Sequence, residues 1–434
     1  AGTLAAGTAG GMPRFGINRN TAGQLALLGG QPVREGKQWP SWPPWDTGIE
    51  ERVIQAGKRG GWSRINSTSK AVEEFETAFA RLIGTRYALG TGSGTQALHT
   101  ALGALGIGAG DEVLMPPFTD KGTMTAIFRT NALPIFVDEE LDSFQMDPED
   151  AERKITEHTR AIVPVHIMGQ PADMDRIMAI ARRHDLYVIE DACQAHATTY
   201  HGQRLGTIGD ISCYSFQASK TLACGEGGGI TCDNETLMNK CYAYHNHGMG
   251  RGEVTVIGPK YRMNEFEAAV LLGQLPGFEQ RAQTRLENAG YLREKLESVP
   301  GIQLQNIYGD TQGTYLLFGF LYLKEHFDEL PREKFFEAVR AEGVPMGGYI
   351  NDELQLRPSV DATIQSPTYQ KLYSKEQLAR FQGIRTSLPV NKKLCTGDVI
   401  AMFSHQYLLG DRQDMDDIAD AIQKVYENRR QLLS

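Results

Sequence analysis

Lys220 is the first residue in this chain whose surroundings point to chemistry. It follows a run of strand formers at 211–216 and precedes the glycines Gly225, Gly227, Gly228 and Gly229. No other charge lies between it and Glu226. Burial disfavours an ammonium, so a lysine in an apolar, glycine-bounded turn gives up its proton more readily than one in water. A neutral lysine amine can form a Schiff base with an aldehyde or ketone. The competing reading is a surface lysine with only its stem buried.

Two further stretches carry candidate chemistry. Asp191 falls just past the carboxyl end of an expected strand at 186–189, where open α/β sheets collect their ligands. Glu190 is the competing acid, a strand-end carboxylate facing solvent. Thr91-Gly92-Ser93-Gly94-Thr95 lies between an expected strand at 87–90 and a helix reaching Leu105. Backbone N–H groups at such a helix start, together with the helix dipole, suit a phosphate. A plain tight turn is the alternative. His245 and His247 have no third ligand at a fitting spacing, and the six cysteines form no CxxC pair. A metal site is therefore not indicated, and the cysteines read as reduced, buried thiols.

The elements that position these residues alternate. Helices are expected over 46–59, capped by Asp46, and over 69–82, where Val72, Phe75, Phe79 and Leu82 share a face. Strands at 112–115, 133–137 and 161–165 alternate with helices at 121–130 and 173–183. That order means a mostly parallel sheet with right-handed crossovers. Asp233 or Asn234 caps a helix over 235–245, and helices over 263–275 and onward to 296 follow. Beyond about residue 301 a strand at 313–322, helices at 331–342 and 415–430, and a strand at 386–389 form a smaller α+β unit. The expected division is an N-terminal tail and arm over 1–40, a large domain over 41–278 and a small C-terminal domain over 279–434. Within 32–45, three tryptophans and four prolines forbid a helix. This arm either packs on its own domain or lines a site or subunit interface.

Basic and acidic side chains number 44 and 53, a net charge of −9 without a long basic run. Nucleic acid and anionic membranes are therefore not expected as partners. No apolar run approaches the roughly 20 residues of a membrane span. The low-complexity stretch at 1–11 is a tail or the end of an export leader; otherwise the location is read as cytoplasmic.

Four segments, in order, resemble the sugar aminotransferases of the DegT/DnrJ/EryC1/StrS family. Gly92-Ser93-Gly94-Thr95-x-Ala97-Leu98 resembles its phosphate loop, and Glu190-Asp191-Ala192-Cys193-Gln194-Ala195-His196 its E-D-A-x-Q-x-x-G segment. Ser215-Phe216-Gln217-x-x-Lys220, followed by Gly225-Glu226-Gly227-Gly228, resembles its cofactor-lysine segment. Tyr261-Arg262-Met263-Asn264-Glu265-Phe266-x-Ala268-Ala269 resembles its R-M-x-E-x-x-A-A helix. Four such matches in order are far more specific than any one, and the resemblance covers roughly residues 40 to 430.

The resemblance implies the α/β architecture of pyridoxal phosphate (PLP) fold type I. It implies that Lys220 carries PLP, that Asp191 holds the ring nitrogen's proton and that Gln194 contacts the phenolic oxygen. Gly94, Thr95 and Ser215 match phosphate contacts. Lys260 stands where the family has an asparagine that reaches the phosphate of a neighbouring subunit, which implies a homodimer with shared sites. Asp120 departs from the pattern, because the family places there an aromatic ring that stacks on the cofactor. Either Phe118 or another ring covers the cofactor, or the stacking is lost and Asp120 faces the substrate. The implied activity moves an amino group from glutamate or glutamine to a keto sugar or keto cyclitol, scyllo-inosose-like or nucleotide-linked. A sugar dehydratase is the rival within the family, but those enzymes commonly carry histidine at the position of Lys220. An inactive relative is the other rival, but Lys220 and Asp191 are both retained.

Overall fold

A seven-stranded sheet carries the candidate residues at its strand ends. The computed structural model describes residues 23–250, 256–397 and 400–433, so the 1–11 stretch lies outside the described residues. The strands are β1 (Tyr87–Thr91), β2 (Glu112–Met115), β3 (Leu133–Phe136), β4 (Thr159–Ile162) and β5 (Tyr187–Asp191). After a short ribbon of β6 (Thr199–Tyr200) and β7 (Gln203–Arg204) come β8 (Ile211–Ser215) and β9 (Gly228–Cys232). The spatial order is β1-β9-β8-β5-β4-β2-β3. Strands β8, β5, β4, β2 and β3 run parallel, and β9 is reversed against both β8 and β1. Val113, Leu114, Ile135, Phe136, Ala161 and Ile162 are all fully buried. Helices on both faces leave such strands no polar side.

The expected helices form with shifts of a few residues. Asp46 caps Thr47–Arg59, its carboxylate accepting from the Ile49 N–H at 2.9 Å. Asn234 rather than Asp233 caps Glu235–Tyr244. The helix expected from 263 begins at Glu265, because Asn264 and Glu267 close a capping box. All six cysteines are free, and Cys213, Cys232, Cys241 and Cys395 are buried. No described helix is long and apolar enough to cross a membrane.

The C-terminal part holds β10 (Ile302–Leu304), β11 (Thr311–Gln312), β12 (Leu317–Tyr322) and β13 (Ile400–Ser404). Strands β10, β12 and β13 form an antiparallel sheet, and β11 joins the β6–β7 ribbon. The helices Phe278–Leu296 and Arg412–Asn428 pack on it through Leu292, Ile418, Ile422 and Val425. The strand expected over 313–322 starts only at Leu317. Tyr315 takes a left-handed φ of 47°, and Thr314 turns its N–H to Thr198 Oγ1 at 3.1 Å. The strand expected over 386–389 is absent; Pro389 instead opens the helix Pro389–Thr396. Proline's fixed φ and missing N–H suit a first helical turn. Short helices over 358–385 were not anticipated. Their Val360, Tyr369 and Phe381 enter the core of the seven-stranded sheet, and Arg380 reaches buried Glu112 of β2 at 2.8 Å.

The proline-tryptophan arm runs across both parts. Arg34 binds Asp414 at 2.6 Å and Asp417 at 2.7 Å, and its guanidinium covers Trp39 at 3.6 Å. Trp39 in turn meets Tyr407 edge-on. The arm then continues towards the loop that carries Lys220.

Candidate active site

Lys220 sits in a loop between β8 and β9 that closes on itself. Phe216 N–H donates to Gly227 O, Ala218 N–H to Gly225 O and Cys224 N–H to Phe216 O, each at 2.8–2.9 Å. Gly225 has φ 96°, a conformation that glycine adopts without a Cβ penalty. Four distant segments then clamp the loop. Trp42 Nε1 donates to Ala218 O at 3.0 Å, and His405 Nε2 donates to Ser219 O at 3.2 Å. Gln274 bonds Ala223 through both amide groups, and Thr221 Oγ1 lies 3.2 Å from His196 Nδ1. Trp42 and His405 also meet edge-on, with centroids 4.6 Å apart. The arm therefore lines the lysine loop as well as packing on its own chain. Lys220 is half-buried, and its amine has no carboxylate partner among the described residues.

The ground behind the loop is basic and buried. Burial, reinforced by the charge of Lys220, pushes His196 down to about 3. Burial and then Arg285 do the same to His405. Arg285 is itself fully buried, and burial beside Arg281 lowers it to about 9. Since Ser219 O can only accept, His405 carries its proton on Nε2.

Asp191 ends β5 and is 3 % exposed. Its Oδ2 accepts from Thr123 Oγ1 at 2.7 Å and its Oδ1 from the Cys193 N–H at 3.2 Å. Glu190 points to the opposite face of the strand, as alternation requires. It does not face solvent: it is fully buried and accepts from the N–H groups of Gly206, Ile208 and Gly209. His166 Nδ1 accepts from Ala172 N–H, so its Nε2 donates to Glu190 at 3.1 Å. Burial opposes ionisation of Glu190, but these donors outweigh it and hold the carboxyl below its usual range. Gln194 is locked at both ends, accepting from Met168 N–H at 2.8 Å and donating to the Tyr349 hydroxyl at 2.9 Å.

The turn after β1 meets these groups. Ser93 caps the helix Gly94–Ala104, whose first N–H groups have no partner within the helix. A Cβ on Gly94 would lie 2.8 Å from both Cys193 Sγ and Ser215 Cβ. A Cβ on Gly122 would lie 2.6 Å from Thr95 Oγ1. Gly94, Thr95, Ser215 and the segments of Asp191 and Thr123 thus converge on one place, with Lys220 close enough to act on Cys193 and His196. The donor set fits PLP: a carboxylate for a ring nitrogen, a helix start and a serine for a phosphate, and an amine for an aldehyde.

The remaining expected residues lie further out. Phe118 is fully buried against Tyr349 and Phe144, and its N–H donates to Glu139 at 2.7 Å. Asp120 is exposed and caps the helix Lys121–Arg129 through Gly122 N–H. Lys260 is exposed, and the neighbouring Tyr261 carbonyl accepts from Gly92 N–H at 2.9 Å within the same chain. A cavity of about 110 Å³ opens beside Asp120. A larger hollow of about 930 Å³, bordered by Arg52, Arg81 and Leu272, includes none of these residues. Two of its rim cations are paired, Arg52 with Glu74 and Arg204 with Glu279.

Residues 48–404 match the DegT/DnrJ/EryC1/StrS aminotransferase family. The chain belongs to that family. It is a PLP-dependent aminotransferase, and its fold is PLP fold type I. The aminotransferase is 34 % identical to the L-glutamine:2-deoxy-scyllo-inosose aminotransferase of Micromonospora echinospora, over 94 % of this chain and 99 % of that protein. It is 31 % identical to the L-glutamine:scyllo-inosose aminotransferase of Streptomyces griseus, with the same coverage. Among solved structures, the aminotransferase from Psychrobacter cryohalolentis superposes with a TM-score of 0.78 at 28 % identity, covering 91 % of this chain and all of the other.

Thr123, Tyr349, Gln274 and His405 belong to the site by contacts that the sequence does not display. Tyr349 carried a faint signal, an aromatic directly after the flexible pair Gly347 and Gly348. The other three act through contacts between residues 51 to 186 positions apart, which no local pattern encodes.

Proposed function

We propose that this enzyme transfers the amino group of glutamine to a free keto cyclitol of the inosose type. The observation that carries the choice of substrates is its 31–34 % identity, across nearly the whole chain, to several L-glutamine:inosose aminotransferases. Bound PLP supplies an electron sink for charge developing beside the donor nitrogen. Lys220 binds the cofactor and, once free, moves a proton from the donor carbon through its amine. Asp191 holds the proton on the ring nitrogen, and Thr123 with the Cys193 N–H fixes that carboxylate. Gln194, oriented by Tyr349, addresses the phenolic oxygen. Gly94, Thr95 and Ser215 receive the phosphate. Trp42, Gln274 and His405 hold the lysine loop in register. Lys260 reaches the phosphate of a second subunit, which makes the working unit a homodimer with shared sites.

The test follows the absorbance of purified wild-type protein and Lys220→Ala on adding glutamine or glutamate. Glutamine bleaches the visible cofactor band of the wild type and leaves the variant unchanged. Glutamine carrying a ¹⁵N-labelled α-amino group then passes its label to scyllo-inosose. A cofactor band that glutamine leaves untouched, or label that never reaches the cyclitol, refutes this reading.

A further inference from the structure

The cavity beside Asp120 bears on which acceptors the enzyme admits, an inference that rests on the transfer reaction proposed above. Its polar lining is Thr119, Asp120, Lys121, Asp352 and Arg357, and Ile350 adds an apolar wall. Two chain connections fix it beside the site. Asp120 and Lys121 begin the helix whose Thr123 holds Asp191. Ile350 follows Tyr349, which holds Gln194. The cavity therefore borders the two segments that hold Asp191 and Gln194.

The charges here are matched. Arg357 grips Asp352 at both oxygens, at 2.7 and 2.9 Å, and holds its carboxyl below the usual range. Asp120 accepts from Gly122 N–H through Oδ1, and its Oδ2 has no partner among the described residues. Lys121 acts on Asp352 and Asp120 on Arg357. Two carboxylates thus face two cations.

An uncharged polyol ring suits such a lining. Its hydroxyls donate to the carboxylates and accept from the cations, and bonds to ionised groups are the strong ones. A nucleotide-linked sugar differs in one decisive way. Its dianionic diphosphate begins one oxygen from the ring and brings two negative charges into a lining whose charges already balance; Arg357 is committed to Asp352, which leaves Lys121 alone to meet them. Desolvating that surplus negative charge beside Asp120 is unfavourable. We propose that Asp120 and Asp352 determine acceptor specificity, binding hydroxyls of an uncharged ring and selecting against nucleotide diphosphate sugars. On this account, the acid at position 120 is a specificity device in a place where relatives are expected to carry an aromatic ring.

The experiment uses the holoenzyme and the unreactive polyol scyllo-inositol, titrated by calorimetry into wild type, Asp120→Asn and Asp352→Asn. Both positions are exposed, so the variants fold. Each substitution preserves shape, removes a charge and weakens binding about tenfold. With scyllo-inosose as acceptor, the loss falls on the acceptor KM rather than on that of glutamine. The ratio of nucleotide-linked keto sugar to free cyclitol turnover, low in the wild type, rises in Asp120→Asn. Unchanged polyol affinity in both variants, or a wild-type preference for the nucleotide-linked sugar, overturns the proposal. Failure of glutamine to convert the wild-type cofactor would instead refute the transfer reading, and the polyol titrations would still decide the specificity claim.

Discussion

His405 makes the protein acid-sensitive by a calculable amount. The imidazole is fully buried, and burial together with Arg285 lowers its pKa from 6.5 to about 3. Above the unfolded value the ring is neutral in both states, and no differential exists. Below it, the unfolded chain takes up a proton that the native site refuses, so stability falls as pH drops from about 6.5 towards 3. At about pH 5 the gap is roughly 1.5 units, or about 2 kcal/mol at about 1.36 kcal/mol per unit. His405→Gln keeps an N–H that can reach Ser219 O and removes the titration. The variant starts about 1–2 kcal/mol less stable near neutral pH, from lost packing and a poorer hydrogen bond. By about pH 5 that deficit shrinks by about 2 kcal/mol, so the two stability curves converge or cross. Urea unfolding of both proteins, followed by circular dichroism between about pH 7.5 and 5, reads the difference directly. His196 and His245, lowered to about 3 chiefly by burial, bend both curves the same way. Asp420, raised to about 6 by burial, opposes them. All three cancel in the comparison. Stability curves that stay parallel would refute a buried, neutral His405.

Gly94→Ala places a methyl 2.8 Å from Cys193 Sγ and Ser215 Cβ. Overpacking of about 1–3 kcal/mol at this helix start should weaken cofactor affinity about tenfold or more, measured by titrating apoprotein with PLP. Thr123→Val removes the 2.7 Å bond to Asp191. A hydrogen bond to a charged group contributes about 1.5–3 kcal/mol, so the glutamine half-reaction should slow by about tenfold to a hundredfold in stopped-flow absorbance. Trp42→Phe leaves the Ala218 carbonyl without its 3.0 Å donor. The expected cost is about 1 kcal/mol, with faster amide exchange across 218–223.

Most of the sheet is legible in the sequence because its strands are short apolar runs separated by amphipathic helices, an order that dictates parallel pairing; the reversed β9, which opens on two glycines, carries no such signal. Lys220, Asp191 and the turn at 92–95 stand out in the sequence because each follows a run of strand formers and lies near glycines or an acid. Glu190 is buried, against the expectation of a solvent-facing acid. Sequence alternation shows that adjacent acids face opposite ways but not which face is covered, and the loop at 206–209 buries this one. The helices over 358–396 were missed because they are short and depend on packing against a sheet laid down more than 200 residues earlier. The role of Asp120 is not legible in the sequence for a similar reason. Only the approach of Asp352 and Arg357 gives that carboxylate a setting.

The clamp on the lysine loop has a consequence for how the protein matures. The anchors come from residues 42, 196, 274 and 405, so the loop is tied to both ends of the chain. Each anchor closes a loop whose entropic cost must be met before its contact contributes. The final shape of the loop is therefore acquired only after the arm has docked and β13 has joined its sheet. Until all four anchors are in place, the loop around Lys220 lacks the contacts that give it its native shape.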